Sequence, residues 1–370
     1  MKIVYIIDWD ILNQSSLVSK IQKKILYWES LGHVVTLMIV SYKTESKFLP
    51  HLKDVRVFER EELALLKFSS LKTFVGRNRA FGRMLKEIQG LCPDIVYLRP
   101  GMMWYPNVSK IASSFPTVLE LNSIDEEEAK IYYPSWDIRY KIFKYGRNDL
   151  LKKCSGIVSL TDEIGKCYQN FNKKAIVISN GVSFPETFHE KSQQGINIIF
   201  VGTPGQPWQG FDQFVKMASL LPDFTFHLVG PTLSELRLEG SNNLICHGFL
   251  DAKQLEELYK CCHIGVGTLA LYKKNMEEAC PLKVREYVAN QLFLILGYTD
   301  TDFHEKSFSL YIGNSCDNVQ KNIAEIESFI WDIASQRKVN DPVEKKQYAV
   351  HTKEDERLRF LSDVRATYRK

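Results

Sequence analysis

Two glutamates, Glu278 and Glu286, enclose a proline and a lysine in the stretch Glu278-Ala279-Cys280-Pro281-Leu282-Lys283-Val284-Arg285-Glu286. Pro281 suits the first position of a helix, where its missing N–H costs nothing. The amides from Ala279 to Lys283 would then be free, with the positive end of the helix behind them, to receive a diphosphate. Lys283 in the first turn opposes the usual preference for acidic residues there, which makes sense beside a bound anion. At helical rise the two carboxylates would stand about 12 Å apart, an upper figure where part of the stretch is loop. Carboxylates so placed could hold hydroxyls at the two ends of a nucleotide sugar. The same spacing fits an ordinary amphipathic helix with solvated glutamates, and both readings stand at this point.

A second cue is Phe200-Val201-Gly202-Thr203-Pro204-Gly205-Gln206-Pro207-Trp208-Gln209-Gly210. A buried strand runs into a glycine-rich turn and a helix, which lets backbone amides approach a phosphate; a plain turn with Trp208 as packing anchor is the alternative. Asp8-Trp9-Asp10 and Asp300-Thr301-Asp302 have the Asp-x-Asp form that holds divalent metals, but neither brings a third ligand, so no metal is expected. Gly265-Val266-Gly267-Thr268-Leu269-Ala270 matches a dinucleotide fingerprint in letters only. It lies late in its domain and is followed by Lys273-Lys274-Asn275, so a close-packed strand end is the better reading. No phosphate-binding P-loop is present, and no histidine joins a serine or cysteine in a nucleophile elbow.

The elements that must position these residues follow from length and patterning. The chain has 370 residues, 45% apolar and 25% charged, enough for two cored domains and too well mixed for general disorder. No apolar run approaches bilayer-spanning length, and Ile3–Ile7 is too short for a signal-peptide core. The eight cysteines form no CxxC pair and no zinc-like cluster, so reduced thiols and a cytoplasmic setting are expected. Residues 1–180 hold 27 Lys and Arg against 19 Asp and Glu, whereas 181–370 hold 21 against 25. A basic half beside an acidic half suits contact with an anionic lipid or membrane surface, or reflects surface chance.

Strand-like apolar runs at 2–7, 34–40, 94–98, 117–121, 156–160 and 175–178 alternate with helical patterns, as in a parallel sheet covered on both faces. A second alternation runs from strand 196–202 through helices 211–221, 251–261 and 281–290 to strand 292–296. The expected class is therefore α/β with two doubly wound, Rossmann-like domains. An N-terminal domain would span 1–182, a polar linker 183–195, a C-terminal domain 196–339, and a charged helical tail 340–370 would need a surface to rest on. Ligands of such domains bind at strand carboxyl ends, here across the cleft between the two.

Taken together these segments resemble glycosyltransferase family 4, the retaining glycosyltransferases of the GT-B fold. The resemblance covers most of the chain and rests on Leu31-Gly32-His33-Val34-Val35, Pro93-Asp94-Ile95-Val96-Tyr97, Ile178-Ser179-Asn180-Gly181-Val182, the Gly202–Gly210 turn and, most specifically, Glu278 to Glu286. Pro-Leu-Lys-Val-Arg-Glu-Tyr-Val-Ala is similar to a form common among bacterial polysaccharide and lipid-linked glycan enzymes. The resemblance implies that Glu286 holds the ribose hydroxyls and Glu278 the transferred sugar. It implies that amides of Ala279, Cys280 and Leu282 meet sugar and diphosphate, and that Gly202 and Thr203 line the phosphate path. It also implies a metal-independent transfer from a nucleotide-diphosphate sugar by front-side attack, with no protein nucleophile, to a glycan or polyprenyl-linked acceptor. No cofactor and no nucleic-acid partner are expected.

The departures are specific. The family often has Lys-Gly and an arginine in the turn where Gln209-Gly210 stands, so diphosphate neutralisation would fall on Lys283, with Lys273 or Lys274 in reserve. The glycine pair after the first strand is replaced by Leu12-Asn13-Gln14-Ser15-Ser16, and a frequent histidine by Asn122 on the acceptor side. A GT-B sugar-nucleotide epimerase and a catalytically inactive partner subunit remain as alternatives. Leu71–Leu91, mixing Phe74, Phe81 and Met84 with Arg77, Arg79 and Arg83, would either lie on the inner face of a membrane or pack its stripe on the sheet.

Overall fold

The computed structural model describes residues 1–8, 15–41, 51–59, 69–185, 195–335 and 345–368. Asp10, residues 12–14, most of the expected linker and the start of the expected tail at 340 lie outside the described residues. The chain divides into two compact units, Met1–Ile178 with Glu354–Lys370, and Ser179–Lys353.

The first unit is built on seven strands: β1 (Lys2–Ile7), β2 (Val34–Ser41), β3 (Val55–Glu59), β4 (Ile95–Arg99), β5 (Thr117–Leu121), β6 (Gly156–Ser159) and β7 (Lys174–Val177). Their order is β3-β2-β1-β4-β5-β6-β7, and every pairing is parallel. The central strands are continuous apolar runs because both faces are covered. Ile3, Tyr5 and Ile7 pack with Leu17, Ile21, Ile25 and Trp28 of the helix Ser15–Ser30, and with Leu358, Leu361 and Val364 of the helix Val350–Tyr368.

The same layer contains a buried polar network. Glu120 accepts a hydrogen bond from the Tyr5 hydroxyl at 2.8 Å and pairs with Lys20 and Lys24 at 3.3 Å each. Burial would raise its carboxyl, but Lys24, Lys20, Arg99 and Arg357 hold it well below the usual carboxylate range. The Trp28 indole donates to Glu354 at 3.0 Å, and Glu354 in turn pairs with Arg357.

The helix Ser69–Leu91 resolves the two readings of its stripe. Ala80, Phe81, Met84 and Ile88 are fully buried, and Tyr105 stacks on Phe81 at 5.5 Å. Arg77 is itself buried and paired with Asp8. This stripe is core, so the reading in which it lies on a membrane is set aside.

The second unit has a six-stranded parallel sheet ordered β10-β9-β8-β11-β13-β15 and a two-stranded pair β12-β14. These strands are β8 (Asn197–Val201), β9 (Thr225–Val229), β10 (Leu244–Gly248), β11 (Ile264–Val266), β12 (Glu278–Ala279), β13 (Phe293–Leu296), β14 (Thr299–Asp300) and β15 (Ser309–Tyr311). Gly265 and Gly267 are packing glycines: a Cβ at Gly265 would lie 2.3 Å from the Tyr287 ring, and one at Gly267 2.8 Å from Leu296. The fingerprint-like letters there are a close-packed strand end. Among the described residues no helix is long and apolar enough to cross a membrane.

Candidate functional site

The stretch bearing Glu278 and Glu286 forms a strand, a turn and a helix. Glu278 and Ala279 make β12, whose register on β14 sets Glu278 opposite Thr299. The helix runs from Leu282 to Ala289, and Pro281 is its extended N-cap at φ −73° and ψ 145°. The expected helix start at Pro281 therefore shifts by one residue, because proline's fixed φ suits either position while its ψ here is that of a cap. Pro281 offers no side-chain acceptor to the first-turn amides.

The turn is clamped from a distant part of the sequence. The Asn180 amide side chain donates to the Cys280 carbonyl at 2.5 Å, and the Asn180 N–H donates to the Cys280 sulfur at 3.0 Å. Burial pushes the Cys280 thiol up to about 11, so it is an acceptor in packing rather than a nucleophile. Arg285 bonds the Asn180 carbonyl at 3.3 Å and forms 2.6 Å ion pairs with both Asp300 and Asp302. Asp302 also receives Ser179 at 3.0 Å and Lys353 at 3.4 Å. The Asp300-Thr301-Asp302 carboxylates are thus counter-ions of a buried guanidinium. Asp8 has the same kind of partner in Arg77, and among the described residues no three potential metal ligands gather.

Lys283 is the electrostatic oddity. It is buried, with its Nζ 2.9 Å from the Gln209 side-chain oxygen and 3.7 Å from the centre of the Phe200 ring. It forms no ion pair among the described residues, and burial pushes it well below the usual lysine range. Gln209 is fixed in turn by its own 2.8 Å bond to Gln206 and by its carbonyl, which accepts the Leu269 N–H at 3.0 Å. The glutamine that replaces a basic residue of the family is therefore the partner of Lys283. Of the reserve lysines, Lys274 is buried 4.5 Å over the Trp208 ring and Lys273 lies 3.8 Å from Asp212.

Glu286 is half-buried on the helix and accepts from the Tyr259 hydroxyl at 3.0 Å. The neighbouring Tyr287 accepts the Val201 N–H at 2.9 Å, tying this helix to the end of β8. Glu278 is half-buried in β12, and Leu282 is half-buried at the helix start. At the β8 turn, the Gly202 N–H donates to Val229 at 3.0 Å and a Cβ at Gly202 would strike the Phe211 ring at 2.6 Å. Gly202 is thus needed for packing, while Thr203 is exposed. Gly210, at φ +77°, begins the helix Phe211–Leu220 in a conformation that favours glycine. Tyr259, Asn180 and Arg285 were not legible as site residues, since only the folded chain brings them together.

In the first unit, Asn122 follows β5, and its side-chain oxygen is buried without a hydrogen-bond partner among the described residues. A separate pocket at the carboxyl ends of β1, β4 and β5 is lined by Asp8, Trp104, Leu121, Asp125, Phe143 and Arg147, among others. The Arg147–Asp125 pair in its wall is 2.7 Å long.

No protein-family model matches the sequence, and no curated protein matches it. Solved structures do match in shape. A sucrose-phosphate synthase from Thermosynechococcus elongatus superposes with a TM-score of 0.68 at 11% identity, covering 99% of this chain and 100% of that one. The lipopolysaccharide outer core galactosyltransferase WaaB, in its apo form, gives 0.66 at 11% identity, covering 98% and 100%. A UDP-GlcNAc 2-epimerase from Neisseria meningitidis bound to UDP-GlcNAc gives 0.57 at 11% identity, covering 98% and 100%. At such identities the likeness defines the fold, which is that of the GT-B enzymes.

Proposed function

We propose that this chain is a glycosyltransferase of the retaining, family 4 type, which moves a sugar from a nucleotide-diphosphate sugar to a glycan or lipid-linked acceptor. The observation that carries the reading is Lys283: a buried cation with no carboxylate partner among the described residues, in the first turn of a helix whose N-cap gives no side-chain acceptor. A diphosphate would supply the missing counter-charge and accept from the first-turn amides. Glu286 would hold the ribose hydroxyls and Glu278 the sugar. Ala279, Cys280 and Leu282 would contribute backbone, and Gly202 with Thr203 the phosphate path. Catalysis would then rest on positioning and on stabilising the departing diphosphate.

The acid–base economy of such a transfer is simple. The acceptor oxygen attacks the anomeric carbon, the bond to the diphosphate breaks, and the acceptor proton passes to the leaving diphosphate. Lys283 neutralises the charge that develops there. The transfer needs no metal, so activity should survive a strong chelator; loss in chelator with restoration by magnesium or manganese would overturn this part. Calorimetric titration with uridine, guanosine, adenosine and thymidine diphosphates tests the whole reading, starting from uridine because one structural neighbour holds a UDP-sugar. Binding of none would favour the inactive partner subunit, for which Gln209 and Asn122 are the best support. Release of a free sugar without any acceptor would favour the epimerase.

A further inference from the structure

Four large apolar side chains stand in solvent within one short stretch of the first unit. Tyr132 is 46% exposed, Trp136 77%, Ile138 66% and Tyr145 70%. Ile138 and Tyr145 lie seven residues apart on the helix Ile138–Lys153, and therefore on one face, with Lys141 between them. Trp136 immediately precedes that helix, and Tyr132 ends the helix Asp125–Tyr132 before it. Single exposed apolar residues are ordinary, but a group of this size marks an interaction surface.

The group is held in shape from beneath. Asp137 caps the helix by accepting the Arg139 N–H, and the buried Tyr140 and Phe143 fasten the opposite face. Tyr145 rests edge-on against Trp104, with ring centres 5.8 Å apart. Trp104 itself fits only because residue 146 is glycine: a Cβ there would lie 1.8 Å from the indole. The exposed rings are presented by a packed scaffold, so little ordering cost attends contact with a partner.

The surrounding charge selects the partner. Between residues 129 and 148 there are five Lys and Arg and one acid, Asp137. Lys141 and Lys144 are exposed on the helix, Arg139 stands at its start and Lys130 lies one helix earlier. Glu126 and Glu127 engage Lys144 at 2.7 Å and Lys130 at 2.6 Å, which anchors the cations without burying them. Tryptophan and tyrosine favour the headgroup depth of a bilayer, and flanking cations favour anionic lipid. A second copy of the chain would set like charges against each other at a self-complementary patch.

We propose that Tyr132, Trp136, Ile138 and Tyr145, framed by Lys130, Arg139, Lys141 and Lys144, form the face by which this protein docks on an anionic lipid bilayer. The inference is independent of the reaction assigned to the second unit. Co-sedimentation of the full chain with phosphatidylcholine vesicles, with and without phosphatidylglycerol, tests it. Binding is expected to the anionic vesicles at low salt and should fall as salt rises. Trp136→Ser with Ile138→Ser should lower the bound fraction about tenfold or more, and Lys141→Glu with Lys144→Glu should do so while flattening the salt dependence. Phe249→Ser, which removes an equally exposed ring from the second unit, should change nothing. A variant whose melting temperature falls is replaced by Tyr145→Ser alone. Absence of binding at low salt, equal binding to both vesicle types, or patch variants that bind normally would overturn the proposal. So would self-association of the protein that the same variants abolish, which would make a second copy the occupant.

Discussion

The Nζ of Lys283 and the side-chain oxygen of Gln209 are 2.9 Å apart, and that neutral contact is the nearest the lysine comes to a counter-ion among the described residues. A buried ammonium served only by an amide oxygen and the face of Phe200 is held well below its ordinary pKa by desolvation. An anion arriving beside it reverses the balance. Binding of a nucleoside diphosphate should therefore draw in a proton, and affinity should weaken as pH rises. Titrations in buffers of different ionisation heat read the proton directly; a proton count of zero at every pH would place the diphosphate elsewhere.

Lys283→Met separates stability from binding. Removing a buried, unpaired charge should leave the melting temperature of the free protein unchanged or raise it, since nothing is left unpaired but Gln209. Diphosphate affinity should fall by at least about tenfold, the scale of a charge-assisted hydrogen bond. A variant that unfolds, yet binds when folded, would contradict both halves.

The two glutamates should divide their effects. Glu286→Ala, which also strips Tyr259 of its partner, should weaken nucleotide binding by about 1.5–3 kcal/mol. Glu278→Ala should cut turnover and leave binding of the free diphosphate nearly as it was. Equal, small changes in both quantities for both variants would sink the assignment.

A pH effect unrelated to the site belongs to β9 and β10. His227 lies 3.0 Å from His247 and 3.2 Å from the Asn197 side-chain oxygen, and burial, with His247 beside it, lowers its pKa to about 4. The unfolded chain binds this proton near pH 6.5 and the folded chain only near 4, so the stabilisation is present above that window and is lost as pH falls through it. The loss should reach about 2 kcal/mol, allowing for the partial exposure of the pair. Denaturant unfolding between neutral and acid pH, with His227→Gln as the flattened comparison, measures it.

Glu120→Gln should be among the most damaging substitutions in the first unit. It would leave Lys20 and Lys24 without their carboxylate inside the core, a loss of about 3–5 kcal/mol. Chemical denaturation of the whole chain checks this, and a change below about 1 kcal/mol would mean that the lysines find water instead.

The strands of both sheet centres were legible because each is an unbroken apolar run, as in Ile3-Val4-Tyr5-Ile6-Ile7. The edge strand Val55-Arg56-Val57-Phe58-Glu59 escaped notice since only one of its faces is covered and charges interrupt it. The helix Ile138–Lys153 was equally hard to read: apolar residues occur on its buried and its exposed face, so no stripe stands out. At the candidate site the glutamates and the lysine announced themselves by type and spacing. The isolation of Lys283, the Asn180 clamp on Cys280 and the hold of Tyr259 on Glu286 did not, because each depends on residues far apart in the chain.

The helix Val350–Tyr368 supplies Leu358, Leu361 and Val364 to the first unit, although the whole second unit is encoded before it. During synthesis, then, Leu17, Ile21 and Trp28 emerge without the layer that finishes covering them, and Trp28 lacks Glu354. The second unit, complete by Lys353, can fold while the ribosome is still extending the chain. The first-made half is the last to close, so a stalled or truncated chain displays an open apolar sheet to chaperones and proteases. Quality control can in this way read from the N-terminal half whether translation has passed the end of the protein's other half.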